Sequence, residues 1–216
     1  MKSYLSEFLG TCFLLMAIVG SGIMGQNMSN NLGVTLLANS LTIGFTLAVL
    51  IIIFSDLSGA HFNPAVTLSM YLLKEIKLQT AIFYIFIQIL GAVIGVMLAN
   101  IMFGLEPIQH SMNERSGSAL FISEVISTLG LLLVIFGTRK YGKLIVAFCV
   151  GLYIAGAIWF TSSTAFANPA VSLARTLTDT FAGSRLEDMS FFIIAQIIGS
   201  VIATIIFGSW LFKRTK

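Results

Sequence analysis

The chain has 216 residues, of which 57% are hydrophobic and only 10% are charged, and its mean hydropathy is +0.96. Soluble domains average about 45–50% apolar and about 25% charged residues. This chain carries more apolar side chain than one core can bury and too little charge to cover a surface in water, which excludes a soluble globule. Long aliphatic runs with only three prolines also exclude a disordered, collagen-like or coiled-coil chain. The composition therefore indicates an integral membrane protein, and with a net charge of only +3 nucleic acid is not an expected partner.

Six stretches are long and apolar enough to cross a bilayer as helices, which takes about 20 residues each. They are too continuous for the alternation of membrane strands. The first stretch follows a single basic residue, Lys2, and lacks a clear cleavage site, so it is predicted to be a span rather than a signal peptide. The predicted spans are Tyr4–Met24, Leu36–Leu57, Gln79–Met102, Ser118–Phe136, Leu144–Phe160 and Met189–Phe212.

The basic residues between the spans are unequally divided between the two sides of the membrane. With six spans both termini lie on the same side, and that side receives nine Lys and Arg against three on the other. By the positive-inside rule, both termini are expected to be cytoplasmic, in the cell inner (plasma) membrane. The nine are Lys2, Lys74, Lys77, Arg139, Lys140, Lys143, Lys213, Arg214 and Lys216, and the three are Arg115, Arg175 and Arg185.

Three landmarks recur in the same order in the two halves of the chain. They predict a duplicated unit of three spans, about 1–102 and about 118–216, within one domain over 1–216. Because three is odd, the second copy must cross the membrane upside down relative to the first. The matched segments are residues 7–11 with 124–128, residues 63–68 with 168–173, and residues 88–91 with 196–199.

An Asn-Pro-Ala box follows the second span of each half. Asn is a preferred N-cap residue and Pro is favoured at the first helical position, so each box predicts the start of a helix. Each following helix, about 63–73 and about 168–178, has eleven residues and would rise about 16 Å, roughly half of the ~30 Å hydrocarbon core. Two such half-helices from opposite faces would meet near the midplane. The boxes are Asn63, Pro64, Ala65 and Asn168, Pro169, Ala170.

In these features the chain resembles the aquaporin and glycerol-facilitator superfamily, the major intrinsic proteins. The match covers essentially the whole chain, including His61-Phe62 before the first box and a glutamate in the first span of each half. One Asn-Pro-Ala box is a weak indicator, whereas two boxes placed symmetrically in a duplicated six-span chain are highly specific. The resemblance implies an all-α membrane protein with six transmembrane helices and two re-entrant half-helices in inverted three-span repeats, assembled as a homotetramer.

Several polar residues acquire expected roles. The amide groups of Asn63 and Asn168 would donate into the pore and, with two positive helix ends, orient a passing water or hydroxyl by its oxygen, which opposes proton relay and repels cations. The resemblance implies that Glu7 and Glu124 accept hydrogen bonds from the re-entrant loops, and that His61 lines the cytoplasmic approach. No cofactor or metal is expected, and the spans contain no pattern of an intramembrane enzyme.

The largest departure from the family pattern lies at the constriction of the pore. In the family an arginine usually follows the second box directly, whereas here that residue is Val171. The family's spacing puts the other three constriction positions at Ile43, Gly156 and Ala165. The ring is therefore predicted to be wide and apolar, and it matches neither the water-selective members nor the glycerol facilitators.

Arg175 lies four residues beyond Val171, on the same helical stripe and about 6 Å further toward the outside. Two interpretations are open at this point. Arg175 is either a displaced guanidinium at the pore mouth that repels cations, or an i,i+4 partner of Asp179.

These features predict a passive channel for small uncharged solutes and water in the lipid bilayer. The closest resemblance is to the bacterial branch whose second box continues as Asn-Pro-Ala-Val and which is associated with arsenic-resistance operons. Its presumed cargo is undissociated arsenous acid, methylated arsenicals and glycerol-like polyols. A water-selective aquaporin or a glycerol facilitator is the alternative within the family. A proton-coupled secondary transporter, which inverted repeats and broken helices also permit, is the alternative from another class, and a purely structural membrane protein is a third.

Overall fold

A computed structural model describes residues 1–212, and the regular structure within this range is helical. Six helices are long and apolar enough to cross a membrane, and two short helices follow the Asn-Pro-Ala boxes. The predicted fold class is confirmed. The long helices are α1 (Lys2–Met28), α2 (Leu32–Ser58), α4 (Leu78–Met102), α5 (Ser118–Thr138), α6 (Lys143–Phe160) and α8 (Leu186–Ala203), and the short ones are α3 (Pro64–Leu72) and α7 (Pro169–Ala174).

The two half-helices are shorter than the predicted eleven residues. Helix α3 has nine residues and ends before Lys74, which adopts a left-handed backbone with φ of 61°. Helix α7 has only six residues and tightens into a 3-10 turn over Arg175–Leu177. The carbonyl of Arg175 accepts a bond from the N–H of Ser184 at 3.1 Å, so it is withdrawn from the α-helical pattern. Tertiary bonds therefore set where α7 ends.

The same order of elements occurs twice, in α1–α4 and in α5–α8. Helix α1 packs against α2 and α4, α5 packs against α6 and α8, and the two sets meet where α2 crosses α6. At that crossing Gly44 and Gly151 each lie against the other's carbonyl, where any side chain would clash. Gly91 of α4 and Gly199 of α8 similarly rest on the backbones of α1 and α5. Small residues thus allow the close helix contacts that hold a membrane bundle together.

The two membrane faces differ in the elements that they carry. The N-terminal face has the start of α1 and the α3–α4 and α5–α6 connections, where Arg139 pairs with Glu75 at 2.6 Å. The distal face has the α1–α2 turn, the α4–α5 loop and the loop that follows α7, where Asn113 Nδ2 donates to the carbonyl of Thr180 at 2.7 Å. Between the faces the outer surface exposes large apolar side chains such as Phe86, as lipid contact requires.

Three of the basic residues used to predict orientation, Lys213, Arg214 and Lys216, lie outside the described residues. The others assigned to their side occur at the N-terminal face: at the start of α1, in the α3–α4 connection and between α5 and α6.

Candidate functional site

The first re-entrant loop is fastened by Glu7, which is fully buried in α1. Its two carboxylate oxygens accept four hydrogen bonds, so a single side chain fixes the loop between α2 and α3 and ties it to α4. The donors are the Oγ of Ser58 at 2.6 Å, the backbone N–H groups of His61 and Phe62 at 3.0 and 2.7 Å, and Nε2 of Gln88 at 2.8 Å.

Glu124 in α5 does the same for the second re-entrant loop. It is also fully buried, and its four donors have the same chemical types in the same order. The donors are the Oγ of Ser163 at 2.5 Å, the backbone N–H groups of Phe166 and Ala167, both at 2.9 Å, and Nε2 of Gln196 at 2.6 Å. Both glutamates therefore act on loop backbone, as the resemblance implied.

The loops present these N–H groups because their backbones turn through the left-handed region. Ala60 and Phe62 have φ of 52° and 50°, and the equivalent Ala165 and Ala167 have 46° and 47°. Such a conformation costs a residue with a Cβ roughly 1–2 kcal/mol. The buried carboxylates offset this cost, so the loop conformation depends on them.

The two Asn-Pro-Ala boxes meet in the middle of the molecule, and both asparagines line a cavity there. Each side-chain oxygen caps its own short helix, and each Nδ2 donates to a carbonyl of the opposite loop. Only one of the two N–H groups of each amide therefore stays free to donate into the cavity, rather than the whole group as predicted. The bonds are Asn63 Oδ1 with Ala65 N (2.8 Å), Asn168 Oδ1 with Ala170 N (3.0 Å), Asn63 Nδ2 with Ala167 O (2.7 Å) and Asn168 Nδ2 with Phe62 O (2.9 Å).

The cavity has a volume of about 290 Å³ and is lined from one membrane face to the other. Glu75 and Arg139 line it at the N-terminal face, and Thr164 and Arg175 line it toward the distal face. Aliphatic side chains form most of the wall between them. His61 lines the half nearer the N-terminal face, where its Nδ1 lies 3.1 Å from the Oγ1 of Thr67.

Three of the four predicted constriction residues line this cavity. Ile43 comes from α2, Ala165 from the second re-entrant loop and Val171 from α7. All three are buried and apolar, and Val171 is followed along its helix by the cavity-lining Arg175. The distal half of the cavity thus combines an apolar wall with one guanidinium.

The prediction that Gly156 is the fourth constriction residue is wrong. Gly156 is exposed on the outer surface of α6, and a Cβ there would meet no atom within 4 Å. The residues of α6 that line the cavity are Ile154 and Ile158, two positions to either side. Residues two apart on a helix point about 200° apart, so counting back from the second box selected the opposite face. The α6 side chains that line the cavity are therefore bulkier than the predicted glycine, and they are still apolar.

Arg175 is only 7% exposed, and its guanidinium lies over the ring of Phe166, with Cζ 3.6 Å from the ring centroid. Its Nε donates to the carbonyl of Ala182. The alternative partner, Asp179, instead accepts a bond from the backbone N–H of Met112 at 2.9 Å. Among the described residues no ion pair joins Asp179 to Arg175. The structure thus favours the interpretation that Arg175 belongs to the mouth of the cavity.

Sequence reasoning also missed Phe166 and Arg115 in the distal half. Phe166 lines the cavity, and the Arg115 guanidinium of the α4–α5 loop lies 5.3 Å from the centroid of its ring. Burial lowers the pKa of Arg115 from its ordinary value, but an arginine stays protonated at neutral pH. One signal for Phe166 was present, because it precedes its asparagine by two residues, as His61 does in the first half.

Comparisons with a family model and with known proteins all indicate the same family. The family model for the major intrinsic protein matches residues 1–146. Aquaglyceroporin AqpS of Rhizobium meliloti (strain 1021) is 42% identical over 211 residues, which cover 98% of this chain and 90% of that protein. Probable aquaporin TIP2-2 of Oryza sativa subsp. japonica is 27% identical over 215 residues, which cover 96% of this chain and 86% of that protein.

The fold has a counterpart among solved structures. The X-ray structure of the aquaglyceroporin from Plasmodium falciparum matches with a TM-score of 0.76 and 24% identity, over 94% of this chain and 93% of that chain. The chain therefore belongs to the major intrinsic protein family of aquaporins and glycerol facilitators, which are passive membrane channels for water and small solutes rather than enzymes.

Proposed function

We propose that this protein conducts small uncharged solutes bulkier than water, as well as water itself, across the plasma membrane. The observation that carries the proposal is the apolar wall of the distal cavity, with Val171 at the position where the family usually has an arginine. The candidate solutes are glycerol-like polyols, undissociated arsenous acid and methylated arsenicals. The name of the relative AqpS, an aquaglyceroporin, supports the polyols.

The two asparagines at the midplane would select for uncharged molecules. Asn63 and Asn168 each have one N–H left to donate, and both sit at the positive ends of short helices. A water or hydroxyl passing there accepts these bonds with its oxygen, so its own hydrogens cannot continue a chain of water through the midplane. Protons and cations are therefore excluded, while neutral solutes pass.

The distal ring would set the size and polarity of the solute. Ile43, Ile158, Ala165 and Val171 offer no side-chain donors there. A charged solute stripped of water by these walls would lose its hydration without compensation, which is prohibitive. A neutral molecule with a carbon skeleton loses far less hydration free energy at these walls. The absence of the arginine side chain also leaves such a molecule more room. The ring thus favours neutral solute molecules that are larger and less polar than a water molecule.

The proposal includes the organisation of the whole chain. Residues 1–216 form one channel domain of two repeats, about 1–102 and 118–216, with the N-terminal face and both termini in the cytoplasm. Four copies assemble as a homotetramer, as the family resemblance implies. No cofactor or metal takes part.

A flux assay on proteoliposomes tests the proposal. We expect glycerol to equilibrate down its gradient at a rate that ignores an imposed pH gradient or voltage. Glu7 and Glu124 are locked as acceptors of four bonds each, so neither of these two carboxylates is poised to couple protons. Accumulation of solute against its gradient when a pH gradient is imposed would contradict the proposal and indicate a secondary transporter.

A further inference from the structure

The distal end of the cavity brings two guanidinium groups to one aromatic ring. We propose that Arg175, reinforced by Arg115, forms a binding site for a small oxyanion such as sulfate or phosphate, and that the bound anion occludes the pore. This inference rests on the proposed function, because the anion is detected through the neutral flux that it interrupts.

Arg175 supplies the donors of this site. Its Nε donates to the carbonyl of Ala182, which fixes the direction of the side chain, and its stacking on Phe166 holds the plane of the guanidinium. Within residues 1–212, neither terminal nitrogen has a protein partner, and neither is sealed from the cavity. A side chain that is 93% buried thus presents two N–H-bearing nitrogens to open space. This fork is the arrangement that binds two oxygens of one anion.

Arg115 adds positive charge, and each of its three guanidinium nitrogens already donates one bond to protein oxygen. Its Nε donates to the carbonyl of Gly183 at 3.0 Å, and its terminal nitrogens reach Thr164 Oγ1 and the carbonyl of Phe181 at 3.5 and 3.4 Å. These bonds hold the second guanidinium against the same ring, behind the cavity wall. Its field attracts an anion to Arg175 from a partly buried position, where screening by salt is weak.

Four carboxylates of the distal side are occupied elsewhere. Asp188 accepts from the backbone N–H of Arg115 at 2.7 Å and pairs with Arg185, which also pairs with Glu114. Asp179 is bonded to backbone, and Glu124 is committed to the re-entrant loop. Among the described residues, Arg175 is in no ion pair, and the charge of Glu124 acts on it without direct contact, so an anion from solution can be its direct partner.

The apolar ring explains why such an anion would stay rather than pass. Directly inward of Arg175 the wall offers Val171 and Ala165, which cannot replace the hydration of a charged group. An oxyanion therefore binds at the mouth and stops there, whereas a neutral solute continues inward. Occupancy blocks conduction instead of adding an anion current.

The test is glycerol entry into proteoliposomes with sodium sulfate on both sides of the membrane, compared with sodium chloride at equal ionic strength. We expect sulfate to slow entry with a saturable dependence on concentration. Arg175→Gln should weaken the apparent affinity for sulfate by about tenfold or more, because it removes a charged pair of donors. Arg115→Gln should weaken it by several-fold, since only its field is lost. Lys77→Gln, at an exposed lysine of the opposite face that does not line the cavity, is the matched control with unchanged affinity.

Two results would overturn the site: equal rates in sulfate and in chloride for the parent protein, or inhibition of Arg175→Gln at the same sulfate concentrations as the parent. If Arg175→Gln does not assemble, sulfate affinity equal to the parent's in Arg115→Gln overturns the role of the paired charges. Glycerol entry without sulfate reports the activity of the channel itself. If the parent protein gives no glycerol entry without sulfate, that result contradicts the proposed function and not the anion site alone.

Discussion

The two halves of the pore differ in their lining far more than in their scaffold. Each half has a glutamate with four donors, an asparagine cap and a short helix. At equal distances from the two asparagines, however, two of three lining positions carry different residue types, and only the third is valine in both halves. The pairs are His61 with Phe166, Val66 with Val171, and Met70 with Arg175.

The same comparison shows how each half handles positive charge. Near the N-terminal face, Arg139 donates to Met70 Sδ at 2.6 Å and pairs with Glu75, so its charge is neutralised. Near the distal face, Arg175 supplies the guanidinium from the 3-10 turn that ends the half-helix, and no carboxylate pairs with it among the described residues. A duplicated scaffold thus carries one neutral mouth and one positive mouth, with valine at the third position after each asparagine.

The largest expected effect tests whether the scaffold is equivalent in the two halves. Glu124→Gln and Glu7→Gln should each destabilise the protein by about 3 kcal/mol or more and abolish glycerol flux, because an amide puts an N–H against donors that need an acceptor. Thermal unfolding in detergent and flux in proteoliposomes measure both. Parent-like stability and flux in either variant would show that its loop is held by something else. Glu187→Gln, at an exposed outer carboxylate, is the control.

The second effect distinguishes the two possible registers of α6. Ile158→Ala should raise glycerol permeability several-fold relative to water, because it removes bulk from the cavity wall. Gly156→Ala, two residues away on the outer surface, should leave both permeabilities within about twofold. Stopped-flow light scattering measures the ratio. A larger change in Gly156→Ala than in Ile158→Ala would restore the family spacing and contradict the register described above.

The smallest effect concerns the paired guanidinium of the N-terminal face. Glu75→Gln should lower the free energy of unfolding by no more than about 1 kcal/mol, because Glu75 is partly exposed and such pairs are weak. Glycerol flux should stay within about twofold of the parent. Chemical unfolding and flux assays measure both quantities. Lys143→Gln, which removes the neighbouring exposed pair with Asp56, is compared under the same conditions. A complete loss of flux would mean that this mouth is a gate.

Much of the scaffold could be predicted because its signals are local. Hydropathy gave the six spans, and the Asn-Pro pairs marked both half-helices, because capping preferences act within a few residues. The loop-anchoring roles of Glu7 and Glu124 came from family resemblance rather than from any local signal. Their geometry depends on donors such as Gln88 and Gln196, which lie far away in the sequence.

The lining was harder to predict because it depends on side-chain direction. Gly156 failed because the loop 161–168 contains three left-handed residues, and the path of such a loop decides which face of α6 turns inward. The end of α7 depends on the bond between Arg175 and Ser184, and the position of Arg115 depends on contacts with residues 181–183. None of these contacts produces a periodic pattern in the sequence from which it could be predicted.

The central claim is that the valine after the second box opens the pore to solutes bulkier than water. The most direct measurement is the ratio of glycerol to water permeability in proteoliposomes of the parent, Val171→Arg and, as the apolar control, Val171→Ala. We predict that Val171→Arg lowers this ratio by about tenfold or more, which corresponds to about 1.4 kcal/mol in the barrier, while Val171→Ala preserves it. If Val171→Arg passes glycerol as well as the parent does, the apolar ring does not determine which solute passes.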